Sequence, residues 1–184
     1  MSEAFPLLFP LDRFYARQEI ALPEARRLTA NEVPQPYRQL LCGEHDMTPT
    51  LEAFHKDRIH LRVLERWQEG EALWRLVALE LVDSGRPVEF GAIVIHLSLF
   101  PKEAAEVVLE GHCPLGSILA IHHIYHESRP YGFVSVQSDS VINNALGLQG
   151  TQTLYGRRNV LKTLDGSAIA DILEILPPEK PLYS

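Results

Sequence analysis

Apolar positions recur most regularly in the last third of the chain. Ala168, Ala170, Ile172, Glu174 and Leu176 share one face of a period-two segment, and Ile169, Asp171, Leu173 and Ile175 share the other. Both faces are mainly apolar, the pattern of a strand covered on both sides. A segment beginning at Gly156 folds back onto it through Leu164, Asp165 and Gly166, so the two read as a hairpin. Three further strand-like segments lie upstream at 59–67, 73–82 and 87–97. Glu69, Gly70 and Glu71 separate the first two, and Asp83 to Arg86 separate the last two, which predicts an antiparallel meander.

Elsewhere the period changes to that of a helix. Tyr37, Leu40 and Leu41 predict a short helix over 36–43, and another begins near Thr48 with Pro49 at its first position. Pro101, the face of Ala104, Val107 and Val108, and the closing Gly111 describe a helix between 101 and 111. Pro114 opens one more, carrying Leu115, Ile118 and Leu119. Alternation over 131–136 predicts a strand, Ser140 is placed to cap a helix through Leu146, and 151–155 and 159–163 resume strand character. Residues 1–34 hold prolines and apolar clusters without periodicity and read as an N-terminal arm. Strands, then helices, then strands again predict a single α+β domain over 1–184, built on an antiparallel sheet.

The 184 residues suffice for one sizeable core. A net charge of −7 without a basic run argues against a nucleic-acid partner, so any anionic ligand must be met by a few local arginines. No apolar run nears the roughly 20 residues that cross a bilayer, so no membrane insertion is expected. The first residues lack the order of a secretion signal, and Cys42 and Cys113 make no disulfide framework; the expected location is the cytoplasm.

Candidate chemistry begins with Glu174, because a carboxylate on an apolar strand face needs a partner, a hydrogen bond or a proton. Arg75 shares a face with Leu73, Val77, Leu79 and Leu81, and its planar fork suits a carboxylate. That carboxylate is either Glu174, giving a buried ion pair, or a small ligand with Glu174 a ring diameter away. Backbone N–H groups of Leu115 and Gly116, at a helix start, offer further donors to a carboxylate. Arg157 and Arg158 should take opposite strand faces, so only one reaches a pocket, and Arg157 is the candidate. His122 and His126 stand one turn apart if the helix before them continues, with His123 between. Without a third ligand or an intervening glutamate, a locally hydrogen-bonded cluster is the better reading than a metal site. Cys113 beside His112 is poorly placed as a nucleophile–base pair.

Pro114-Leu115-Gly116, Tyr155-Gly156-Arg157-Arg158, Glu174 with its following prolines, and the ending Pro181-Leu182-Tyr183 resemble chorismate lyase (4-hydroxybenzoate synthase) and its uncharacterised relatives. Gly85-Arg86-Pro87 is similar to that family's central turn, and the resemblance runs from about Ile59 onward. It implies an antiparallel sheet of about six strands with helices on one side and a closed pocket. It also implies cofactor-independent cleavage of chorismate to 4-hydroxybenzoate and pyruvate, a carbon–oxygen lyase reaction that supplies quinone biosynthesis. Glu174 would then meet the ring-oxygen end of the ligand and take or give a proton, while the Leu115 amide and Arg75 hold the ring carboxylate. Counting back from Gly85, the family arginine falls on Val77, two residues from Arg75 and on the same face. Asn159 stands where the family often has serine. A non-catalytic receptor for a small aromatic acid is the alternative, since the effector domains of GntR-type regulators resemble this fold.

Overall fold

The computed structural model describes residues 6–179. Its strands are β1 (Ala25–Leu28), β2 (Ile59–Glu69), β3 (Ala72–Leu81), β4 (Pro87–His96), β5 (Glu127–Gln137), β6 (Thr153–Lys162) and β7 (Ala168–Leu176). Its helices are α1 (Leu11–Arg17), α2 (Tyr37–Leu41), α3 (Met47–His55), α4 (Lys102–Glu110), α5 (Leu115–Ile121) and α6 (Ser140–Leu146). All seven strands form one antiparallel sheet in the order β1-β5-β6-β7-β4-β3-β2. The expected α+β architecture is therefore present, with one strand more than the resemblance implied. The ending Pro181-Leu182-Tyr183 lies outside the described residues. No helix among those described is long and apolar enough to cross a membrane.

The additional strand comes from the segment read as an arm. Ala25 to Leu28 pair with Val136 to Phe133 at the sheet edge. Arg26 and Arg27 are exposed there, so the pairing is made by backbone and leaves no alternation of apolar side chains. Charged residues on an edge also discourage pairing with a second sheet. The same segment holds α1, which buries Leu11, Phe14 and Tyr15. Phe14 meets Trp67 at 4.6 Å between ring centroids, and Trp67 stacks on Trp74 at 5.4 Å.

Three other local expectations are corrected. Residues 151–163 hold one continuous strand, β6, because Gly156 to Arg158 pair on both sides. The cap of α6 is Asp139 rather than Ser140: its Oδ1 accepts from the Ile142 amide at 3.0 Å, and its Oδ2 accepts from the Tyr15 hydroxyl at 2.8 Å. Helix α3 starts at Met47, so Pro49 is its third residue, still within the turn whose N–H groups lack helical partners.

Alternation along the central strands sends side chains to two apolar layers. Trp74, Leu76, Phe90, Ala92, Val94, Leu173 and Ile175 face α1 and α6. The opposite face carries α2 to α5, and here the core divides. Val77, Leu79, Leu81 and Leu176 pack with α2 and α3, whereas Leu73, Ile93, Ile95 and Ala170 pack with α4 and α5. A polar band lies at the seam between these clusters, including Arg75, Glu89 and Glu174.

Gly156 fixes how closely β6 and β7 approach. A Cβ there would stand 2.4 Å from the Glu174 carbonyl oxygen and 3.1 Å from Ile175 Cγ1. Because the obstruction is backbone, Gly156→Ala is expected to destabilise the fold by about 1–3 kcal/mol, read as a lower urea midpoint.

Candidate functional site

The cavity opens at the seam between the two helix pairs. Strand register builds its floor. One row runs Val77, Gly91, Glu174 and Arg157 across β3, β4, β7 and β6; the next runs Arg75, Ile93, Ile172 and Asn159. Gly91 leaves the middle bare. The roof comes from Asp46, Met47 and Thr48 at the start of α3 and from Pro114, Leu115 and Gly116 at the start of α5. The space open to the centres of water molecules is about 60 Å³. At 10–15 Å³ for each water, this is room for about four to six waters or one compact organic molecule.

Glu174 and Arg157 form a buried ion pair, at 3% and 1% exposure, between Nε and Oε2. The rest of the Arg157 fork is also engaged. Its Nη1 donates to the carbonyls of Gly43 at 2.8 Å and Leu41 at 3.3 Å, and its Nη2 donates to that of His45 at 2.7 Å. Arg157 therefore does not line the cavity; it ties the floor to the connection between α2 and α3. Arg158 points to the opposite face, as the alternation requires, where it meets Asp171 at 3.4 Å.

Arg75 has no such anchor. It is 1% exposed, its Nε and Nη1 are buried without hydrogen-bond partners, and no carboxylate pairs with it among the described residues. Burial, reinforced by the nearby Arg66 and opposed by Cys113, pulls its pKa down to about 10. The Arg75–Glu174 pair weighed from the sequence is absent because Arg157 holds Glu174. Val77 lines the same floor two residues along, and the β3–β4 register is irregular between Leu79 and Glu80, on the path from Arg75 to the turn at Gly85.

Glu89 escaped the sequence reading. It lies on the cavity face, 4% exposed, with Oε2 unpartnered. Burial, then the charge of Glu174, raises its pKa well above the ordinary range, with Arg157 opposing. Its signal was the one that exposed Glu174: a carboxylate on a face shared with Gly91, Ile93 and Ile95. Asp46, also missed, accepts from His126 Nε2 at 2.7 Å, while His126 Nδ1 meets the Ile124 carbonyl at 3.0 Å. The hydrogen bond to Asp46 raises the His126 pKa. The helix presumed to unite the histidines ends at Ile121, and His123 turns the chain at a φ of 52°. His122 and His126 are consequently not one helical turn apart, and among the described residues no group of metal-ligating side chains forms.

No protein-family model matches the chain, and no curated protein matches its sequence. Solved structures do match its fold. PhnF from Mycobacterium smegmatis aligns at 9% identity over 95% of each chain, with a TM-score of 0.57. The effector domain of PhnF from the same organism aligns at 10% identity over 77% of this chain and 94% of that one, with a TM-score of 0.54. A GntR-family transcriptional regulator from Bacillus cereus aligns at 12% identity over 68% and 96%, with a TM-score of 0.47. The architecture is thus one shared with the effector domain of PhnF. The sequence comparisons give no support to chorismate lyase itself.

Two outcomes are expected from the ion pairs. Arg157→Leu leaves Glu174 buried without a partner and should cost about 3–5 kcal/mol in urea titration, most of it recovered in the Arg157→Leu/Glu174→Leu double variant. His126 has a folded pKa above its ordinary 6.5, so its contribution is full below that value and lost as pH rises through the folded one. The Tm difference between wild type and His126→Ala should therefore be largest near pH 5.5 and shrink towards pH 8.

Proposed function

We propose that the protein is a non-catalytic receptor for a small organic acid, specifically an aromatic carboxylate, which seats its carboxylate on Arg75. The observation that carries this reading is a buried guanidinium with Nε and Nη1 unpartnered, facing a cavity. Such a cation is costly to bury alone, and a carboxylate on the Nε–Nη2 or the Nη1–Nη2 edge supplies the missing charge and an acceptor for one of the two unpartnered donors. Leu115 and Gly116, whose N–H groups belong to the first turn of α5, border the same cavity, while Leu79, Ile93, Leu161 and Ile172 offer apolar walls to a ring. The likeness to an effector domain supports the reading at the level of architecture.

Chorismate cleavage is the second reading, and the observation in its favour is that two carboxyl groups, Glu89 and Glu174, face the cavity. It is the weaker one. Glu174 is engaged by Arg157, which ties up the group assigned to proton transfer, and chorismate brings two negative charges to a cavity lined, among the described residues, by one unpaired cation.

Calorimetric titration with benzoate and 4-hydroxybenzoate, beside a pyruvate assay with chorismate, separates the two. The expected result is binding of the aromatic acids without pyruvate. Arg75→Leu should abolish that binding and, by removing an unsatisfied buried cation, raise stability by about 1–3 kcal/mol. Equimolar pyruvate and 4-hydroxybenzoate would establish the lyase instead, and wild-type protein that binds neither acid would sink the receptor reading.

A further inference from the structure

Among the described residues, Glu89 is the cavity carboxyl group that no cation meets. Its Oε1 stands 3.0 Å from the place a Cβ on Gly91 would occupy, so the carboxyl group leans over the bare middle of the floor. Its Oε2 is buried and unpartnered. Arg75 sits four strand positions away along the paired strands, about 13 Å at Cα, towards the other end of the cavity.

The charged neighbours can be followed element by element. From β7 comes Glu174, already neutralised by Arg157 of β6. From the start of α3 comes Asp46, met by His126 ahead of β5. From β3 comes Arg75, with Cys113 and Arg66 near its head. Among the described residues that line the cavity, Arg75 is the cation without a carboxylate partner, and it lies at the far end from Glu89. An ionised Glu89 would be a second anion beside Glu174 with no counterion, so the neutral acid is the form this environment accepts.

We infer that Glu89 is a specificity-determining residue: a neutral carboxylic acid that donates a hydrogen bond to the ligand, favours monocarboxylates bearing an uncharged oxygen acceptor across the ring and disfavours dicarboxylates. The inference rests on the reading of Arg75 as the carboxylate seat. A hydroxyl or carbonyl oxygen on the ligand accepts the Glu89 proton without any change of charge. A second carboxylate in its place brings a buried negative charge next to Glu174, which no cation balances. Rising pH ionises Glu89, removes the donor and adds repulsion, so affinity falls.

The test is calorimetry at pH 7 with benzoate, 4-hydroxybenzoate and terephthalate on wild type, Glu89→Gln, Glu89→Leu and Arg75→Leu, with infrared spectra of the unliganded proteins. Wild type should favour 4-hydroxybenzoate over benzoate by about three- to tenfold. It should bind terephthalate about a hundredfold more weakly or worse. Glu89→Gln keeps a neutral donor and should keep the preference; Glu89→Leu should still bind benzoate but lose it. The wild-type spectrum should show a protonated carboxyl band that Glu89→Gln removes. Absence of that band, or terephthalate binding as tightly as 4-hydroxybenzoate while Arg75→Leu still abolishes benzoate binding, overturns the role of Glu89 and leaves the receptor reading intact. Failure of every probe to bind wild type overturns the seat on Arg75 and this selection with it.

Discussion

Arg157 reaches from β6 to Glu174 on β7 and on to the carbonyls of Leu41, Gly43 and His45, so one guanidinium joins the sheet to the connection between α2 and α3. A buried charge pair of this kind is tolerated only when its remaining donors are satisfied, and here backbone carbonyls satisfy them. The cavity depends on that arrangement in two ways. Its roof at Asp46 to Thr48 follows directly from a segment pinned at His45. Its floor has one carboxylate whose charge is already cancelled, which is why Arg75, on the next row of the sheet, is left with an unbalanced charge.

The division of the helical face into two apolar clusters follows from the same band of polar residues. Apolar side chains on either side can close against α2 with α3 or against α4 with α5, but a layer containing Arg75, Glu89 and Glu174 cannot be filled by apolar packing without stranding their polar atoms. The seam is thus a place where folding stability is given up locally, and such places are where binding sites arise.

The long central strands and the helices ending at Gly111 and opening at Pro114 were legible because period and punctuation agreed. Glu174 and Arg75 were legible as a conflict between residue type and strand face. Their pairing was not, since alternation tells which face a side chain takes but not which of two arginines a neighbouring strand brings opposite it; that required the β6–β7 register. Strand β5 was seen only in part because Pro130 and Gly132 carry a register shift that breaks the alternation. Strand β1 was invisible because an edge strand of four residues is specified by the backbone it meets more than by its own side chains. Glu89 carried the same conflict as Glu174, a carboxylate on a strand face shared with Gly91, Ile93 and Ile95.

The sheet order places β7 between β4 and β6, although it comes last among them in sequence. As the chain leaves the ribosome, β2, β3 and β4 can pair with one another, and β5 with β6, but the two groups share no ladder until β7 arrives. Each presents an open edge in the interval, and such edges are where partly folded chains associate wrongly. Closure of the sheet therefore involves contacts distant in sequence, which slows folding. It also means that the ion pair, the cavity floor and the isolation of Arg75 come into being in a single late step.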